Sequence, residues 1–294
     1  MPASRLCLLG VLIATTGLAL AACSPTVPPA AAQPVAEVQA ANTAAEAARP
    51  VGFSLGPNRF VLPANWFADG FGPDFQGGVT LALHWPSLEP YPPGQPYGSF
   101  TTGPMRDQRV LVTVNYIDRV PIDELPERYV TASNEFDLRD PSENLALRDR
   151  LPDRFGLEVY RTDLDKVAAH AAHEMQRPTR PSEFYLRGSD DWFIARDDSG
   201  RIRSVAMCTD DRVPGGFEIR DDALVSVPGS TRRPLCGHRF SLAEFSLSIN
   251  ASYARPILRD WRRIESAVRD ALIRAHDAAS TAAVNGAPAR EPTR

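Results

Sequence analysis

Lysine is almost missing from this chain: Lys166 is the only one, and every other basic residue is Arg. Basic and acidic residues number 32 and 36, a formal charge of −4 over 294 residues. That balance excludes the broad cationic face on which nucleic-acid binding depends. The arginine bias is read as a GC-rich genome's way of spelling basic residues rather than as a set of anion clamps. Compact catalytic and metal signatures are missing too. There is no HExxH, no Ser-x-x-Lys, no Cys-x-x-Cys and no EF-hand spacing. Each would have placed a nucleophile, a base or a ligand set at a fixed offset. No cofactor and no metal is therefore expected. What is plentiful is apolar material, 43% of the chain, enough for a real core rather than a disordered stalk.

The N-terminus carries the sharpest pattern. Arg5 is the only charge in the first 22 residues and precedes the apolar run Leu6–Leu20, which is shorter than the about 20 residues a bilayer span needs. Leu20-Ala21-Ala22-Cys23 follows, so the segment reads as a secretory signal. With Cys23 directly after Leu-Ala-Ala, it resembles the lipobox of bacterial lipoproteins. That resemblance implies cleavage after residue 22, lipid attachment at Cys23 and permanent membrane anchoring, since several acyl chains hold where one does not. Ser24 in place of Asp implies sorting to the outer membrane, facing the periplasm. Loss of Arg5 takes the mature charge from −4 to −5. Cys7 leaves with the signal and Cys23 takes lipid, so Cys208 and Cys236 remain. In an oxidising periplasm they are expected to form a disulfide.

Residues 23–50 are rich in Pro and Ala and read as a tether, about 30 Å long as a flexible coil and about 80 Å if extended. The body is expected over 51–276 and a disordered tail over 277–294. Alternation predicts strands at Arg59–Leu62, Val79–Trp85, Arg109–Ile117, Leu157–Arg161, Glu183–Arg187 and Phe245–Asn250. Phe217–Ile219 and Leu224–Val227 are added, and Trp192–Arg196 with Arg201–Cys208 reads as a hairpin. Short helices are predicted at Ile122–Val130 and 142–150. A long one starts at Pro256 with Ile257, Trp261, Ile264, Val268 and Leu272 as its apolar stripe and arginines opposite. The fold class is α+β, mostly antiparallel sheet with this C-terminal helix on one face. The echo of Asp118-Arg119-Val120-Pro121 in Asp211-Arg212-Val213-Pro214 leaves open two similar halves split near residue 150.

Four features offer chemistry. His170 and His173 are three apart and could share a metal, but the segment has exposed character and reads as solvated. His238 lies beside Cys236 and could act as a base, though it reads better as structural. The Asp doublets 190–191, 197–198, 210–211 and 221–222 read as turn formers, with calcium as the rival. Trp66 and Trp85 stand in Pro-rich loops and are the candidate binding residues.

The C-terminal third carries Cys208, Cys236-x-His238-x-Phe240 and Leu258-x-x-Trp261-x-x-Ile264. Over about residues 155–275 it resembles uncharacterised proteobacterial envelope proteins, some encoded beside secretion systems and resembling immunity proteins. The resemblance implies a non-enzymatic module that binds a protein partner in the periplasm. An envelope hydrolase acting on cell wall or lipid, with His238 as base, is the alternative.

Overall fold

Alternating apolar residues build most of the described part of this molecule, as strands that run antiparallel to their neighbours. The computed structural model describes residues 45–69, 72–73, 77–92, 106–230 and 232–284. The signal, Cys23 and all but the end of the expected tether lie outside them. Thirteen strands follow one another: β1 Pro50–Leu55, β2 Asn58–Pro63, β3 Val79–His84, β4 Glu89–Pro90, β5 Arg109–Tyr116, β6 Asp149–Arg154 and β7 Leu157–Arg161. Then come β8 Asp190–Arg196, β9 Ile202–Thr209, β10 Phe217–Arg220, β11 Ala223–Ser226, β12 Leu235–Leu242 and β13 Leu247–Ala254. The α-helices that lie wholly within the described residues are α1 Leu125–Arg128, α2 Leu164–His173 and α3 Trp261–Val284.

Nine strands form one sheet in the order β4-β3-β5-β13-β12-β9-β8-β7-β6, with every pair antiparallel. β1–β2 and β10–β11 are separate hairpins. The expected α+β class is what the chain adopts. The strands carrying the repeated Asp-Arg-Val-Pro ends, β5 and β9, belong to the same sheet, and the described residues form one compact unit. No division falls near residue 150.

One sheet face makes the main core. Val110, Val112 and Val114 of β5 meet Leu247, Ile249 and Ala251 of β13; the α-helix expected from Pro256 begins at Trp261, after a 3-10 helix Arg255–Asp260 that brings Ile257, and α3 lays Trp261, Ile264, Val268 and Leu272 across them. The apolar stripe read from the sequence is therefore the buried face of that helix. Each such side chain, once buried, stabilises by roughly 1.5–3 kcal/mol. Cys208 and Cys236 sit directly opposite in the β9–β12 register and are joined by a disulfide across 28 residues. Closing that loop contributes roughly 3–4 kcal/mol in the chain-entropy account. The hairpin β10–β11 lies inside the closed loop and adds Phe217 and Leu224 to the core.

Four expectations fail, each for a local reason. Glu183–Arg187 is a 3-10 helix, Ser182–Gly188, because its amides bond back along the chain after Pro181. Residues 142–150 do not form a helix. Asn144 caps a 3-10 turn at Leu145–Leu147, and β6 begins at Asp149. The strand expected from Phe245 starts at Leu247, after Ser246 turns into the left-handed region. The helix α3 continues to Val284, so residues 277–284 are helical rather than a disordered tail; residues 285–294 lie outside the described set. No helix among the described residues is long and apolar enough to cross a membrane.

The two sheet edges are guarded. β4 has only two residues, and β6 reads Asp-Arg-Leu-Pro-Asp-Arg with a register irregularity between Leu151 and Arg154. Short strands, charge, proline and bulges are the usual means of blocking further pairing.

Candidate functional site

The candidate residues from the sequence scatter, and most of them are structural. Trp66 and Trp85, expected as exposed anchors, are buried. Trp85 donates its indole N–H to Asp260 Oδ2 at 2.9 Å beneath α3, and Trp66 belongs to the same core. The loops that carry them end against α3, and burying a large ring under it outweighs leaving that ring in water.

His238 is 1% exposed, on the core face of β12. Its Nε2 lies 2.7 Å from Ser204 Oγ of β9 and 3.1 Å from Glu265 Oε1 of α3. Serine, histidine and glutamate together suggest a nucleophile relay, but a relay needs serine and acid on opposite ring nitrogens. Here both share Nε2, while Nδ1 is buried without a partner. The group is sealed under Phe240, Tyr253 and Trp261, so it ties strand to helix and cannot serve as an exposed base. Burial pushes the Glu265 carboxyl up. The hydrogen bond and charge of His238, the charge of Arg203 and the Ser204 bond more than offset this, leaving it below its ordinary value.

The Asp doublets divide. Asp221 and Asp222 both have positive φ and turn the β10–β11 hairpin. Asp197 accepts from Ser199 Oγ, Ser199 N and Arg201 N. The Ser199 side-chain bond, with the amide and Arg201 contacts, holds Asp197 down at about 2 against a small opposing burial effect. The other two doublets are not simple turn formers. Asp191 and Asp210 are buried, and with Asp211 they bring three carboxylate oxygens within 4.8 Å of one another. Arg161 binds both oxygens of Asp191, at 2.8 and 3.1 Å, and also reaches Asp211. Arg212 binds both oxygens of Asp210 at 2.9 and 2.6 Å. With those lone pairs facing guanidinium, the cluster is an ion-pair network joining β7, β8 and the segment after β9, and the donor set is unsuited to calcium.

His170 differs from the sequence expectation in being buried, at 8% exposure. It sits in the last turn of α2, whose start is capped by Asp163 accepting from Asp165 N and Lys166 N. His170 Nε2 has no hydrogen-bond partner, and the nearest charge is Asp140 Oδ2 at 3.8 Å, too far for a bond. Asp140 is held by its other oxygen, which accepts from Ser142 N and Ser142 Oγ at 2.8 and 2.6 Å. The two polar atoms stand in a pocket of about 350 Å³ walled by Leu164, Val167, Ala171 and Met175. His173, on the neighbouring position of the helix, is exposed and joins nothing.

Around the pocket mouth the surface is unusually apolar. Phe136 packs edge-on to His170 and is 44% exposed, and Phe184, which lines the pocket, is 61% exposed. Arg180 lies over the Phe184 ring, its guanidinium carbon 5.4 Å from the centroid. Arg177, Arg180 and Arg187 are exposed, and among the described residues none of them has an acidic partner. Exposed aromatic and arginine side chains around a cleft are the usual make-up of a protein-binding face. Sequence reading missed this site because Phe184 falls in the segment taken for a strand. The only available signal was the density of Phe136, Leu138, Phe184 and Tyr185 among polar residues.

No family model and no curated protein matches the chain. Among solved structures it resembles an immunity protein of the Stenotrophomonas maltophilia type IV secretion system, with 32% identity and a TM-score of 0.67. The match covers 78% of this chain and 93% of that one. Identity at this level over nearly the whole partner goes beyond shared architecture, and the chain belongs to the same family as this secretion-system immunity protein.

Proposed function

We propose that the chain is an immunity lipoprotein. Anchored through Cys23 at the outer membrane and facing the periplasm, it binds a toxin delivered by a secretion system and blocks it without catalysis. The observation that carries this reading is the relationship to the type IV secretion-system immunity protein. Two features of the body agree with it. The His238 group, the best candidate for a hydrolase base, is sealed in the core. The most exposed phenylalanine among the described residues, Phe184, sits instead on an arginine-bearing face. The tether over 23–50 gives the body reach from the membrane, so that it can intercept a protein arriving in the periplasm.

A contact-killing assay tests the reading. A strain lacking this gene is grown against secretion-competent sister cells, with and without the gene restored. The deletion strain is expected to be killed and the restored strain to survive. Equal survival of the deletion strain beside secretion-competent and secretion-deficient sisters would overturn it. Changing Cys23 to Ala in the restored gene is expected to reduce protection by releasing the protein from the membrane.

A further inference from the structure

We infer that the pocket between α2 and the 3-10 helix Ser182–Gly188 receives one tyrosine side chain from an acidic face of the protein partner. This rests on the immunity reading and names the chemistry of that partner.

Three observations set the occupant. The pocket is about 350 Å³, ample room for an aromatic side chain, and Leu164, Val167, Ala171 and Met175 give it apolar walls. At its base, His170 Nε2 is buried and unpaired, 3.8 Å from Asp140 Oδ2. An orphaned buried nitrogen costs stability until something pairs with it. Once a small shift of the pocket wall bares Nε2, one hydroxyl oxygen reaches hydrogen-bond distance of both atoms, donating its proton to the Asp140 carboxylate and accepting from the imidazole N–H. A phenol combines that hydroxyl with a flat apolar body; a phenylalanine would fill the walls and leave both polar atoms unmet. The rim then sets the charge of the partner. Arg177 lines the pocket and Arg180 lies over Phe184; both are exposed without acidic partners among the described residues and outnumber Glu183 beside them, so the complementary surface is acidic. Phe184, held by Arg180, covers the entering ring from the side.

The test titrates a fluorescein-labelled peptide, Glu-Glu-Tyr-Glu-Glu, against the full chain, with Glu-Glu-Phe-Glu-Glu and Lys-Lys-Tyr-Lys-Lys for comparison. The acidic tyrosine peptide is expected to bind at least roughly tenfold more tightly than either of the others. In the double variant Arg177→Glu, Arg180→Glu its binding should be lost. In His170→Phe its advantage over the phenylalanine peptide should vanish while the preference for acidic over basic peptides remains. Equal binding of all three peptides, or binding by none, overturns the proposal. A dimer of the full chain that Phe184→Ala dissolves would give the face to a second copy and overturn it equally. The contact-killing assay separates this pocket from the broader reading. Full protection by the double arginine variant sinks the pocket and leaves immunity standing, whereas failure of the wild-type gene to protect sinks immunity itself.

Discussion

His238 and His170 are both shielded from water, and each has a ring nitrogen without a partner, yet they occupy opposite kinds of place. Around His238, three elements distant in sequence converge: Ser204 from β9, Glu265 from α3 and the rings of Tyr253 and Trp261. Its surroundings are complete within the chain. Around His170, the cover is Phe136, itself 44% exposed, and the facing carboxylate stops 3.8 Å short. Residue type and burial are therefore poor guides to role. What separates a structural histidine from one at a binding face is whether the groups that enclose it are themselves enclosed.

The sharpest way to break this contrast is to remove each ring. His238→Ala should cost about 2–5 kcal/mol, because it opens a cavity and takes from Glu265 Oε1 its hydrogen bond, leaving the carboxylate to Arg203 alone on its other oxygen. Urea unfolding measures it, and a loss under 1 kcal/mol would mean that the His238 group is not the tie between sheet and helix. The next effect is in acid. Glu265 is held below its ordinary value of 4.5 in the folded chain. Its contribution to stability is complete above that value and disappears as pH falls through the lowered one. Glu265→Gln should lower stability at neutral pH and flatten the decline below about pH 4.5; an unchanged acid slope would assign that slope to other carboxylates, with Asp210 beside Arg212 next in line. The smallest effect is expected at the open site. His170→Ala should change unfolding stability by no more than about 1 kcal/mol, since no hydrogen bond is lost and the patch can adjust. A cost near that of His238→Ala would erase the distinction.

Much of the sheet and the long helix was legible because their patterns are regular. β5 alternates cleanly, and α3 keeps one apolar stripe from Trp261 to Leu272. The Cys208–Cys236 pair was legible by elimination. β12 was not, although Cys236, His238, Phe240 and Leu242 all point into the core. A histidine occupies one of the four inward positions, and the alternation breaks there for anyone counting apolar residues. β6 carries no apolar pattern at all and exists because β7 offers it a partner. The placing of Trp85 depends on Asp260, 175 residues away, and no local window contains that information. The apolar patch was hidden for a related reason: Phe184 and Phe136 meet the same pocket from loops that share no sequence pattern.

The charged, proline-bearing strand β6 has a consequence for life at high density. Proteins held on a surface collide far more often than those free in bulk, always in similar orientations. An open row of backbone donors and acceptors would let such neighbours zip together strand by strand. Asp149, Arg150, Pro152, Asp153 and Arg154 make that row unreceptive, and β4 is too short to seed it from the other side. If the chain is anchored as proposed, a crowd of these molecules can thus remain a population of separate chains.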